Sequence, residues 1–174
     1  MQFEVNLFGL ARLVQLGLPH MRKQKAGRII NVSSVGGRLT TYFGAWYHAT
    51  KYALEAFSDA LRMEVSDFGI DVSIIEPGVI KTDWGIIAAN KLINSAQGGV
   101  YEKAALKTAE GIKKHYSSNI ISNPAVITRA ISKAVNRNRP KARYLTGFMA
   151  KPLVFLHTIL PTKVFDKFIK NIMG

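Results

Sequence analysis

Residues 27–84 read GRIINVSSVGGRLTTYFGAWYHATKYALEAFSDALRMEVSDFGIDVSIIEPGVIKTDW, and this stretch decides the fold. It opens with an almost continuous apolar run at residues 28–32, typical of a parallel strand covered on both faces. The glycines of the next loop, Gly36 and Gly37, permit close approach of the backbone to a ligand. Residues 44–68 have the spacing of a long helix ending at Gly69, and residues 70–75 form a second apolar strand. Strand, helix and strand in this order predict a right-handed βαβ unit.

The long helix carries its apolar residues at helical spacing, so one side of it is expected to be buried. Several of these residues are alanines, and their small side chains would allow another helix to approach closely. The expected buried side consists of Ala49, Ala53, Ala56, Phe57, Ala60, Leu61 and Val65.

Three side chains in this stretch have the chemistry of a catalytic site. Tyr47 and Lys51 stand four residues apart, so they lie on one face of the helix. Ser34 closes the first strand, thirteen residues before Tyr47. A free tyrosine has a pKa near ~10, too high for a good base at neutral pH. A close ammonium group favours the phenolate and lowers that pKa, which is the tuning that acid–base catalysis needs.

These residues, with PGVIKT at residues 77–82 and Asn6 in NLFG, resemble the short-chain dehydrogenase/reductase family. The resemblance covers residues 3–82 well and extends loosely to about Gly147. It implies an α/β fold, the C-terminal portion of a Rossmann-like doubly wound parallel sheet with flanking helices. The family's TGxxxGxG turn and NNAG segment would precede Asn6, so we expect residues 1–174 to be a truncated single domain.

The resemblance implies hydride transfer between NAD or NADP and a small molecule, interconverting a secondary alcohol and a carbonyl. Tyr47 would be the acid/base, and Lys51 would tune it and bind the nicotinamide ribose. Ser34 would hydrogen-bond the substrate oxygen, and Asn6 would hold a water that links Lys51 to solvent. The residue that selects NAD or NADP belongs to the missing part. The expected cofactor-binding residues are Asn31, Tyr47, Lys51, Pro77, Gly78, Ile80 and Thr82.

The remaining chain is organised around shorter elements. Residues 2–24 have helical spacing, with Pro19 near the end. Residues 84–120 contain two helices, at 86–95 and 100–116, and resemble the family's mobile substrate lid. The apolar side chains of this lid-like segment indicate a hydrophobic substrate, such as a lipid-like, steroid-like or retinoid-like alcohol. Asn123-Pro124 starts another helix, residues 142–146 form a third strand, and residues 148–174 form a basic amphipathic tail broken at Pro161.

Composition limits the classes of function. The chain has no cysteine, which excludes disulfides and thiolate chemistry and fits a cytoplasmic protein. Its four histidines show no metal-ligand spacing, so no metal is expected. The net charge of +13 is concentrated late, because residues 101–174 hold fourteen of the 24 Lys/Arg and three of the eleven Asp/Glu. The apolar run of the tail is shorter than the roughly 20 residues that a membrane span needs.

A second function stays open, that of a catalytically silent remnant acting as a binding module. The phenylalanines of the tail alternate with lysines, which favours docking on an anionic membrane surface over nucleic acid. These phenylalanines are Phe148, Phe155, Phe165 and Phe168.

The family resemblance also implies a homo-oligomer, formed through helices 2–24 and 44–68. The strand at residues 28–32 would be a bare apolar edge without the neighbouring strand that the family has.

Overall fold

The computed structural model describes residues 1–173, which form a three-stranded parallel sheet flanked by helices. The strands are β1 (Gly27–Val32), β2 (Ile70–Pro77) and β3 (Arg143–Thr146), in the spatial order β1-β2-β3. The register pairs β1 with β2 from Gly27↔Ile70 onward, and both neighbouring pairs are parallel. The α/β class and the parallel βαβ pairing are therefore confirmed, and β1 is an edge strand of the described sheet.

Seven α-helices are described, each close to a segment with helical spacing in the sequence. A single π-helical turn, Glu4–Phe8, precedes the first of them. Short 3₁₀ turns, Val35–Gly37 and Ser66–Phe68, flank the second. The α-helices are α1 (Gly9–Gln24), α2 (Ala45–Val65), α3 (Trp84–Ala96), α4 (Glu102–Tyr116), α5 (Ala125–Asn136), α6 (Ala150–Ile159) and α7 (Thr162–Met173).

The sheet is covered on both faces, because successive residues of a strand point to opposite sides. Ile29 of β1 packs in a cluster with residues of α1, α2 and β2. Its neighbour Ile30 packs in a different cluster, with α5 and β3. The near-continuous apolar character of β1 and β2 follows from this two-sided burial.

The buried side of α2 differs from the expected one. Leu61 and Val65 are buried as expected, but Ala49, Ala56 and Ala60 are exposed. Apolar periodicity predicted this side incorrectly because several buried residues of α2 are polar and form hydrogen bonds there. The buried polar residues of α2 are His48, Thr50, Glu55 and Ser58.

The helix ends are set by backbone geometry. Pro19 lies inside α1, which continues to Gln24 and ends at Lys25, where φ is 52°. After α2, the chain turns at Gly69 with φ of 68°, as the glycine stop predicts. A Cβ at Gly69 would lie 2.4 Å from the carbonyl oxygen of Lys25. This close approach is a second reason why the turn requires glycine. At α5, Asn123 Oδ1 accepts a hydrogen bond from Ala125 N at 2.9 Å, confirming the predicted helix start.

The basic tail forms two helices, α6 and α7, separated at Pro161 as predicted. Its apolar side is used within the protein: Phe165 and Ile169 are buried with Leu39, which lies in the loop before α2. Among residues 1–173, no helix combines the length and the apolar character required to cross a membrane.

Candidate active site

The chemistry-bearing residues converge at the carboxyl edge of the sheet. Ser34 lies just beyond β1, and Pro77 ends β2 beside it. Tyr47 and Lys51 project from the first two turns of α2, which begins after the loop that Ser34 opens. In open parallel α/β sheets this edge is where ligands bind. The two loops and one helix therefore surround a single site.

The turn that carries Ser34 is tied to α2 through His48. Ser34 Oγ accepts a hydrogen bond from Gly36 N at 3.0 Å and so caps the 3₁₀ turn. His48 Nε2 accepts from Thr41 N at 3.0 Å, so its proton is on Nδ1, which donates to Gly36 O at 2.9 Å. Burial lowers the pKa of His48, and the bond to Gly36 partly offsets this. The sequence indicated only a core or surface histidine here, and its position next to Tyr47 was the available signal.

The two glycines of this turn make room for α2. A Cβ at Gly36 would lie 2.9 Å from His48 Nδ1 and 3.0 Å from Tyr47 Cε1. A Cβ at Gly37 would lie 2.9 Å from Glu55 Cγ. The sequence suggested that these glycines allow close approach of a ligand, but the space beside them is filled by α2.

Lys51 lies on the same face of α2 as Tyr47 and reaches the end of β1. Its Nζ donates to Val32 O at 3.0 Å and lies 6.0 Å from the centre of the Tyr47 ring. Burial lowers the pKa of Lys51, while the negative charge of Glu55 raises it. The contact with Val32 holds the ammonium group beside the strand end that leads to Ser34.

The pKa of the Tyr47 phenol is shifted mainly by burial. Burial raises its pKa above the ordinary value, and the neighbouring Ser34 side chain lowers it by a smaller amount. The lowering expected from Lys51 is therefore not the dominant effect in the protein alone, because desolvation of the phenolate outweighs it. The structure favours the protonated phenol, which is the proton-donating form.

Asn6 lies in the π-helical turn before α1 and contacts the start of α2. Its Nδ2 donates to Thr50 Oγ1 at 3.0 Å, and Thr50 Oγ1 donates to Tyr47 O at 2.8 Å. Asn6 is thus linked through Thr50 to the backbone of Tyr47, in the first turn of α2. π-Helical turns are frequent at functional sites. Its role in holding a water stays a prediction.

The loop after β2 is held by backbone hydrogen bonds to two other segments. Gly78 N donates to Thr146 O at 2.8 Å, and Val79 N donates to Phe148 O at 3.0 Å. A Cβ at Gly78 would lie 2.2 Å from Phe148 O, so this position requires glycine. Farther along, Lys81 N donates to Ser122 O at 2.9 Å, and Ile80 forms a bridge with Ser122. Thr82 is exposed at the end of this loop.

Asn31 is placed differently from the other predicted cofactor residues. It is buried within β1, and its Nδ2 donates to Ser58 Oγ of α2 at 2.8 Å. Its side-chain donor is thus used to join β1 to α2. A role in binding cofactor stays a prediction.

Aromatic side chains of the lid-like segment approach Tyr47. The ring of Trp84 lies 5.1 Å from that of Tyr47, and the ring of Tyr116 lies 6.5 Å from that of Trp84. Burial and, secondarily, the charge of Tyr47 raise the pKa of Tyr116 to about 12. Sequence reasoning missed Tyr116, which lies 69 positions after Tyr47 and closes the segment predicted as helix 100–116.

The residues present fit the nicotinamide end of a dinucleotide. Lys51 uses one of its three N–H donors on Val32 O, which leaves donors for ribose hydroxyls. The hydroxyl groups of Ser34 and Tyr47 are neighbours, and Thr82 is exposed on the adjoining loop. The fold and the site together define the class: a parallel α/β protein with a Ser–Tyr–Lys site at the carboxyl edge of its sheet.

Comparison with known proteins identifies the family. The family profile described as short chain dehydrogenase matches residues 1–91. The probable short-chain type dehydrogenase/reductase VdlC of Helicobacter pylori (strain J99 / ATCC 700824) is 32% identical over 185 residues, covering 99% of this chain and 62% of that protein. The 17-beta-hydroxysteroid dehydrogenase type 6 of Rattus norvegicus is 36% identical over 179 residues, covering 94% and 54%. The chain belongs to the short-chain dehydrogenase family.

A solved structure supports the same assignment. The crystal structure of a short-chain dehydrogenase from Streptomyces avermitilis superposes with a TM-score of 0.70 at 31% identity. The match covers 90% of this chain and 54% of that one. The chain therefore spans little more than half the length of the relatives it matches, 62% in the case of VdlC.

Proposed function

We propose that the chain contributes the catalytic half-site of an NAD- or NADP-dependent oxidoreductase that interconverts a secondary alcohol and a carbonyl. The observation that carries this proposal is the convergence of Ser34, Tyr47 and Lys51 at the carboxyl edge of the sheet. Membership of the short-chain dehydrogenase family supports it.

In this proposal the bound dinucleotide supplies the hydride for carbonyl reduction or accepts it in alcohol oxidation. Tyr47 donates its phenolic proton to the carbonyl oxygen in the first direction and takes the alcohol proton in the second. Ser34 orients the reacting oxygen. Lys51 binds the ribose and stabilises the phenolate, opposing the effect of burial on its pKa.

The substrate is proposed to be hydrophobic. Trp84 and Tyr116 bring aromatic surface to Tyr47. Phe43 also contacts the lid-like segment, with its ring 6.1 Å from that of Tyr101. Two relatives are named as a 17-beta-hydroxysteroid dehydrogenase and a retinol dehydrogenase, which supports a steroid-like or retinoid-like alcohol.

Cofactor titration tests the proposal. The folded chain is titrated with NADH and with NADPH while nicotinamide fluorescence is followed, and the tighter binding identifies the preferred cofactor. We expect Lys51→Ala to weaken binding about tenfold or more, because the ribose loses its ligand. Tyr47→Phe should bind normally but show no turnover of hydrophobic alcohols or ketones.

Lys91→Ala, which changes an exposed lysine of α3, is the matched control and should bind as the wild type does. Absence of saturable binding at millimolar cofactor, in a wild-type chain shown to be folded, would contradict the proposed function.

The alternative of a membrane-docking module has less support. Phe165 is only 3% exposed and packs with Phe168 in the cluster around Leu39, so these two phenylalanines are used within the protein, whereas Val164 and Ile172 of α7 are exposed. Phe155 is exposed, but it is a single residue of the expected set. The oxidoreductase proposal is therefore the one that the geometry favours.

A further inference from the structure

Beneath the candidate active site lies a network of opposite charges. Two of its carboxylates are deeply buried, with side-chain exposures of 1% for Glu76 and 7% for Glu55. Charges removed from water in this way must be compensated by close partners of opposite sign. The network comprises Glu55, Asp59 and Glu76 with Arg38, Arg62 and Arg143.

Arg143 and Arg38 share the carboxylate of Glu76. Arg38 Nη1 lies 3.0 Å from Glu76 Oε1, and Arg143 Nε lies 3.3 Å from the same oxygen. Arg143 also donates to Glu55 Oε2, through Nη2 at 3.2 Å, and contacts Asp59. Each buried carboxylate therefore has at least one guanidinium partner, and Arg143 connects the two.

The members of the network belong to the parts that form the site. Arg38 ends the 3₁₀ turn that Ser34 begins. Glu76 directly precedes Pro77 and the loop after β2. Glu55 lies one helical turn beyond Lys51 on the same face of α2. The network thus joins the Ser34 turn, the loop after β2 and the catalytic helix.

The surroundings of Glu55 are closely packed. Glu55 Oε1 and Ser33 Oγ are both buried without a hydrogen-bond partner among the described residues. A Cβ at Gly37 would lie 2.9 Å from Ser33 Oγ and 2.9 Å from Glu55 Cγ, so the turn is already closely packed against these groups. The hydrogen bonds that Glu55 accepts in this packed region come from Arg143.

Buried ion pairs often contribute no more stability than apolar residues of the same volume. Stability alone therefore does not explain why the ion pairs of this network lie next to three segments of the candidate site. We propose that Arg38 and Glu76 are positioning residues, which hold the Ser34 turn and the loop of residues 77–82 in register with Tyr47 and Lys51. The role of this positioning in catalysis rests on the proposed function. The effect of the two residues on the order of the two segments can be tested without it.

Amide hydrogen exchange tests this inference without cofactor. The variants Arg38→Gln and Glu76→Gln are compared with the wild type, over fragments containing residues 34–39 and 77–82. We expect exchange in both fragments to be about tenfold faster or more in each variant, with unchanged exchange in α5 and α1. The amides concerned include those of Gly37, Arg38, Gly78 and Val79.

Arg62→Gln is the matched control, because Arg62 pairs with Asp59 at the outer end of the network and, among residues 1–173, forms no hydrogen bond or ion pair with residues 34–39 or 77–82. This variant should leave the rate of amide exchange in both fragments unchanged. Arg38→Lys, which keeps the charge but not the guanidinium geometry, should give intermediate exchange, and it replaces Arg38→Gln if that variant does not fold.

Uniformly faster exchange throughout the protein, or unchanged exchange in the two fragments, would overturn the inference. Failure of both Arg38 variants to fold, while Arg62→Gln folds, would do the same, since the network would then serve the fold itself. A wild-type chain that binds neither NADH nor NADPH would count against the proposed function and leave this result intact.

Discussion

Burial and the Ser34 side chain act on the pKa of the Tyr47 phenol in opposite directions, with burial raising it and Ser34 lowering it. In the proposed function, alcohol oxidation needs the phenolate, which forms as pH rises through this pKa. Ser34→Ala removes the lowering contribution, so the rise of kcat/KM with pH should move to higher pH. The measurement is the pH profile of alcohol oxidation. Ser34→Thr, which keeps the hydroxyl, should stay near the wild-type profile, and a shift to lower pH would contradict this account.

His48 should make the stability of the fold depend on acidity. Burial lowers its pKa below the ordinary 6.5, so the unfolded chain binds the extra proton more readily than the folded one. Its contribution is fully present above pH 6.5 and is lost as pH falls from 6.5 through the lower folded value. Protonation of Nε2 also removes the acceptor for Thr41 N.

The measurement for His48 is the free energy of unfolding between neutral and mildly acidic pH. His48→Gln should have lower stability at neutral pH and a flatter dependence on pH. His20→Gln changes an exposed histidine and should keep the wild-type dependence. An identical dependence in the wild type and His48→Gln would show that His48 has no such role.

Gly36 should tolerate no side chain. In Gly36→Ala the new Cβ meets His48 Nδ1 at 2.9 Å and Tyr47 Cε1 at 3.0 Å, and overpacking of this kind costs about 1–3 kcal/mol. Gly17→Ala is the matched comparison, since its nearest neighbour would be 4.0 Å away. That change should stabilise α1 by about 0.5–1 kcal/mol. Chemical denaturation measures both, and equal effects would contradict the packing argument.

Among the elements, α7 illustrates how an amphipathic helix is used. Its apolar side packs on α6 and Leu39, so Phe165→Ala should cost about 3–5 kcal/mol of unfolding free energy. Phe155→Ala, at a residue 62% exposed on α6, should change it by less than about 0.5 kcal/mol. Thermal and chemical unfolding measure the difference. Similarly small changes in unfolding free energy for the two variants would mean that the tail does not pack on the rest of the protein.

At the scale of the whole molecule, the exposed apolar side of α1 makes self-association the expected behaviour. Leu13 and Leu16 are 73% and 57% exposed and lie one turn apart on α1. A surface of this kind is typical of an interaction site, and the family resemblance implies a homo-oligomer. The double change Leu13→Glu, Leu16→Glu should lower the molar mass measured by analytical ultracentrifugation.

Ile87→Glu is the matched control for this association. Ile87 is exposed to a similar degree, 52%, but lies on α3 in the lid-like segment. This variant should associate as the wild type does. A monomeric wild type, or equal loss of association in both variants, would contradict the assignment of the contact to α1.

The local pattern of residues determined the elements of this protein. Apolar runs, the Gly69 stop and the Asn123-Pro124 start act over a few residues. The strands, the helices and the parallel βαβ unit could therefore be predicted close to their observed bounds. The i, i+4 spacing placed Tyr47 and Lys51 on one face of α2 for the same reason, since helix geometry requires no tertiary contact.

Only the tertiary structure decided which polar groups are buried and what surrounds Tyr47. Glu55 and Ser58 lie on the buried side of α2, where distant partners, Arg143 and Asn31, form hydrogen bonds with them. Tyr116 comes near Tyr47 through the packing of a separate helix. Such pairings join residues far apart in the chain, and their free energy depends on desolvation and on fixed geometry, neither of which is contained in local sequence periodicity.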